Sequence, residues 1–123
     1  MIPALLTLGP AAFFAGMGLV ALADPQRILR YFGVPALEVD GKNEVRAVYG
    51  GFGLAVAGLL VAALRLPRIR EGVLVAIAVS VFGMAIGRLI AAAIDRRFGA
   101  YPRLFFLVEL VLGGALAGAL WLG

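Results

Sequence analysis

Four stretches, at about 2–23, 43–64, 72–94 and 103–121, carry almost no charge. Each reaches the roughly 20 residues that an α-helix needs to cross a lipid hydrocarbon core. Charged residues and prolines gather between them, so the chain is divided into four spans with short connections. It is 63% hydrophobic and 15% charged, which a water-exposed surface could not accommodate. These features predict an all-α fold, a four-transmembrane-helix antiparallel bundle forming one integral membrane domain over 1–123.

The first span has a small-x-small sequence, Ala21-Leu22-Ala23, of the kind found at signal-peptide cleavage sites. No Lys or Arg precedes the apolar run, however, and a secretory signal begins with one. The segment is therefore expected to be retained. Pro3 falls in the first turn, where a missing N–H costs little, whereas Pro10 lies deeper and is expected to loosen the helix near Leu6. Asp24-Pro25 has the form of an N-cap with proline at the first helical position, and Gly33 suits a helix stop. Arg27 and Arg30 between them share one face, opposite Ile28, Leu29, Tyr31 and Phe32. This pattern predicts a short interfacial helix over about 25–32, followed by a surface connection to Lys42.

Basic residues set the expected orientation. Arg27, Arg30, Lys42, Arg96, Arg97 and Arg103 collect at one end of the bundle, and Arg65, Arg68 and Arg70 at the other. The positive-inside rule then places the first end in the cytoplasm and both termini on the outer, periplasmic side of a bacterial cell inner membrane. The arginines flank apolar segments rather than forming a run with interleaved aromatics, so they read as headgroup anchors and no nucleic-acid partner is expected.

Cysteine and histidine are both absent, which removes thiol chemistry and most zinc, copper, iron and haem sites; no cofactor and no metal is expected. Only glutamate and arginine remain to carry chemistry, without a nucleophile and base to pair, and no catalytic residue is assigned. The protein is expected not to be an enzyme.

Four ionisable groups interrupt the spans: Glu44 and Arg46 at the start of the second, Arg88 late in the third and Glu109 early in the fourth. Counted along antiparallel helices they lie at similar depth, and intramembrane charges face the bundle interior and pair. One buried cluster is therefore expected, with Asn43 and Tyr49 within reach of Arg46. Arg46, Gly50, Gly53 and Ala57 share a helix stripe that would admit a neighbouring backbone, and Arg88, Ala91 or Ala92, and Asp95 share another. The small-xxx-small pairs Gly83/Gly87 and Gly114/Gly118 are expected to pack inside the bundle.

The motif Asn43-Glu44-x-Arg46-Ala-x-Tyr49-Gly50-Gly51, with Gly87-Arg88 and Glu109, resembles a family of small four-helix bacterial membrane proteins of unknown function, grouped with the DoxX-like proteins. The resemblance covers essentially the whole chain and implies a four-helix bundle with polar positions at Asn43, Glu44, Arg46, Arg88 and Glu109. It implies no activity. Small multidrug-resistance transporters share the length and span count, but their essential glutamate lies in the first span, which here has no charge. Three roles stay open for the cluster. It could be structural glue. It could floor a pocket for a lipid or small hydrophobic ligand, in a module that stands alone, forms a homo-oligomer or serves as accessory subunit of a larger membrane complex. It could also be a proton-coupled transport site built on Glu109.

Overall fold

A computed structural model describes residues 1–123. It is all-helical: α1 (Ile2–Ala23), the short α2 (Pro25–Arg30), α3 (Val39–Arg65), α4 (Pro67–Asp95) and α5 (Ala100–Leu122). All but α2 are long and apolar enough to span a membrane. Proline opens α2 and α4 within the first helical turn, where its missing N–H would have had no intrahelical partner.

Around the bundle the order is α1, α3, α4, α5, with α1 lying between α3 and α5. Contacts fix the antiparallel directions. Gly18 meets Gly50 and Phe14 meets Gly53 across α1 and α3, while Phe82 meets Gly113 across α4 and α5. Leu6 of α1 touches Gly118 of α5, so both termini share one end. The core runs through all four long helices and is built from Ala11, Phe14, Val56, Ala57, Leu60, Ala63, Val73, Leu74, Ile77, Ala78, Val81, Leu112, Leu116 and Ala119. Five of the fourteen are alanine, which lets helices approach closely; lipid is as apolar as leucine, so close van der Waals packing rather than escape from water holds such helices together.

Several boundaries differ from the sequence reading. The second span begins at Val39 rather than near Asn43, because residues expected as surface connection form its first turns. Asn43 is therefore inside the helix and does not cap it; Glu38 holds that position. The third span begins at Pro67, ahead of the expected Gly72, and α1 runs unbroken through Pro10. The interfacial helix ends at Arg30, then a turn leads to Gly33, whose φ of 72° is the left-handed value that favours glycine. Gln26 fastens the connection that follows, donating to the carbonyl of Pro35 (3.3 Å) and accepting from the N–H of Leu37 (2.6 Å).

The expected glycine pairs are also reassigned. Gly83, Gly87 and Gly114 face outward with nothing near their Cα hydrogens, and of the four only Gly118 meets another helix. Close approach comes instead from Gly18, Gly50 and Gly53. A Cβ on Gly18 would lie 2.8 Å from the carbonyl oxygen of Gly50, so the α1 and α3 backbones are in direct contact there.

Two arginines hold helix C-termini. Nε of Arg46 donates to the carbonyl of Leu22 at the end of α1 (3.0 Å), and Nη2 of Arg70 donates to that of Ala119 near the end of α5 (2.8 Å). Each places a cation at the negative end of a helix dipole, and at Ala119 the guanidinium joins the N–H of Gly123 (3.0 Å) on one carbonyl. Arg70→Ala is expected to cost about 1–2 kcal/mol and to speed amide hydrogen exchange in the last turn of α5. Unchanged exchange there would show that the guanidinium does not hold this end.

Candidate functional site

Of the four intramembrane ions, the structure joins two. Nε of Arg88 donates to Oε1 of Glu109 (2.7 Å) and Nη2 donates to Oε2 (3.0 Å), a bidentate ion pair between α4 and α5. It is the one ion pair in the protein. Both residues lie about two turns from the helix ends that flank the 96–99 turn, and the antiparallel packing of α4 on α5 brings them to one level. Charge-assisted bonds of this geometry are the strong ones. Glu109 is almost sealed, its side chain 5% exposed, while that of Arg88 is 25% exposed.

The expected cluster of four ions is corrected in its other half. Arg46 spends its Nε on the Leu22 carbonyl and stays exposed at the edge of α3. Glu44 and Asn43 are exposed and make no side-chain hydrogen bond, and half-buried Tyr49 donates to nothing in the cluster. The local cause is a π-helical turn at Arg46–Gly51, in which the N–H of Phe52 reaches back five residues to the carbonyl of Ala47. The extra residue makes Val45, not Arg46, the buried position before Gly50. Gly50 and Gly51 carry no side chain to resist that distortion, and such turns occur often at functional sites.

Aromatic rings, unassigned in the sequence reading, complete the surroundings of Arg88. Its guanidinium carbon sits 5.8 Å from the ring centroids of both Phe32 and Phe105, within cation–π range. Phe32 belongs to the turn after α2, so the interfacial segment folds onto the ion pair. The rings of Phe32 and Phe105 lie 5.3 Å apart, and nearer the helix ends Tyr31 and Tyr101 lie 5.1 Å apart. The sequence signal for this was the concentration of aromatics at 31–32 and 98–106, at the same end of the bundle.

These groups enclose an open cavity of about 660 Å³. Arg88, Ala91, Ala92 and Asp95 form one wall along α4; Tyr31 and Phe32 form a second; the 96–99 turn and the start of α5, with Arg97, Phe98 and Tyr101, form the third. Nη1 of Arg88 takes no part in the ion pair. No buried side-chain nitrogen or oxygen lacks a partner, so this atom is not buried, and Arg88 is among the residues that line the cavity. No group of three or more Asp, Glu, His or Cys is placed to hold a metal ion. A second cavity of about 740 Å³ at the opposite end is lined by Arg70, but that guanidinium is already bonded to the Ala119 carbonyl.

Four long apolar helices around one internal ion pair define a multi-pass membrane protein of the small four-helix class. Within that class, the chain belongs to the family described as a domain of unknown function, DUF4345, which matches residues 4–120. No curated protein and no solved structure matches it.

Proposed function

We propose that this protein is a non-enzymatic membrane module that holds a lipid or small amphiphile in the cavity floored by Arg88, alone or as accessory subunit of a larger membrane complex. One observation carries the reading: Arg88, bidentate to Glu109 through Nε and Nη2, also lines an aromatic-walled cavity and keeps Nη1 without a protein partner. A purely structural ion pair has no use for a hollow beside it. The mix of apolar walls and a few convergent polar groups is that of a small-molecule site, and the volume falls in the usual range. Proton-coupled transport through Glu109 is less well supported, because both carboxylate oxygens already accept from Arg88 and the side chain is only 5% exposed. In this reading the chain is a bacterial, DoxX-like protein of the inner membrane. Its α2 end, with the larger share of basic residues, faces the cytoplasm.

Filling the cavity without touching the ion pair tests the reading. Ala91 is exposed on the cavity wall, so Ala91→Trp is expected to leave thermal stability nearly unchanged and to lower markedly the lipid that co-purifies, counted by native mass spectrometry. Equal retention by the variant and the parent protein would remove the cavity from consideration as a binding site.

A further inference from the structure

The charges lining the cavity narrow the ligand class, on the reading that the cavity is a binding site. Asp95 and Arg97 both line it, yet they are not paired with each other and neither side chain makes a hydrogen bond. Asp95 stands in the last turn of α4, where the helix dipole disfavours an anion, and no basic residue shares that turn. No ion pair or hydrogen bond within the fold engages this carboxylate, although Arg96 follows it at the C-cap. Arg97, two residues on, offers an equally uncommitted cation, and Nη1 of Arg88 offers a further donor deeper in. Arg88 cancels Glu109 and Asp95 cancels Arg97, so the cavity has two poles and no net charge.

We propose that the cavity takes the headgroup of a zwitterionic phospholipid bearing a primary ammonium. The phosphodiester lies against Arg97 and the free Nη1 of Arg88, which are suited to phosphate oxygens. The ammonium donates to Asp95 and lies against the Tyr31 and Tyr101 rings, whose faces attract cations. The acyl chains need no pocket of their own, because Ile90 and Ile94 on the outer surface of α4 are 55% and 74% exposed. The depth fits as well: Asp95 and Arg97 lie at the helix ends, the level at which a bilayer keeps its headgroups. An anionic phospholipid would satisfy the arginines and leave Asp95 facing a like charge. A choline lipid would have no N–H to give Asp95.

The test is competitive. The full-length protein is equilibrated with equimolar phosphatidylethanolamine, phosphatidylcholine and phosphatidylglycerol in mixed micelles, and bound lipid is counted by native mass spectrometry. Phosphatidylethanolamine is expected to be retained about tenfold over phosphatidylglycerol, equivalent to about 1.4 kcal/mol, and to exceed phosphatidylcholine. Asp95 and Arg97 are exposed, so their variants should fold. Asp95→Asn is expected to abolish the preference by lowering the phosphatidylethanolamine retained to the level of the other two lipids, and Arg97→Gln to lower retention of all three lipids. Equal retention of the three lipids by the parent protein, or a preference that survives Asp95→Asn, would overturn the zwitterion assignment and leave the cavity itself a binding site. Displacement by soluble glycerophosphoethanolamine at the lipid's own concentration would transfer the site from lipid to free headgroup. Lipid binding indifferent to Ala91→Trp would end both readings together.

Discussion

Arg88→Met is expected to be among the most destabilising single substitutions in this protein, by about 3–5 kcal/mol, because it strands a carboxylate that has no other partner. Glu109 is 5% exposed on its side chain and accepts hydrogen bonds from Arg88 alone. The reverse change, Glu109→Gln, should cost less. Arg88 is a quarter exposed, lines the cavity and lies against Phe32 and Phe105, so its charge keeps some solvation and aromatic contact. Removing both charges together, in Arg88→Met/Glu109→Leu, is expected to restore most of the stability, since a buried pair often contributes little net against an apolar replacement. Unfolding by SDS titration of mixed micelles measures all three. A double variant no more stable than Arg88→Met would mean that the cost lies in packing rather than in an uncompensated ion.

Gly18→Val is expected to lower stability by about 2–3 kcal/mol, near the upper end for overpacked sites, because backbone leaves no room to yield. The new Cβ would lie 2.8 Å from the Gly50 carbonyl oxygen and 3.0 Å from the Leu54 nitrogen. A side chain can rotate away, but a helix backbone must move bodily. Pushing α3 from α1 would also pull Arg46 from the Leu22 carbonyl, four residues along the same contact. Gly16 supplies the control. It is exposed with nothing near its Cα, so Gly16→Val is expected to change stability by no more than about 0.5 kcal/mol in the same SDS titration. Equal losses from the two variants would point to helix propensity and not to contact between α1 and α3.

The ion pair shows how far the sequence could be read. Arg88 and Glu109 could be matched because each sits in an ordinary α-helix on either side of a short turn, where depth follows from counting residues. Arg46 could not be placed by the same count. Regular helical spacing sets it on the stripe of Gly50 and Gly53, and the π turn at Arg46–Gly51 rephases the helix so that Val45 points inward instead. The glycines show the same division. Gly18 and Gly83 have similar apolar surroundings in sequence, yet one bears on a neighbouring backbone and the other faces outward. Nothing local distinguishes them, because in an apolar solvent the lipid face of a helix is as hydrophobic as its packed face.

Composition and spacing alone determined that this chain has four helices long and apolar enough to cross a membrane, that a short helix follows the first of them, and that Arg88 and Glu109 lie at one depth. A hydrocarbon solvent enforces those features residue by residue, through length, backbone satisfaction and the cost of burying charge. Which helix face turns inward, which arginine finds a carboxylate and which finds a carbonyl, and that Phe32, Tyr31 and Tyr101 gather over Arg88 to leave a cavity, were decided only by the tertiary structure. Those outcomes depend on the rotation of each helix about its own axis, which close packing between neighbours sets and hydropathy does not encode.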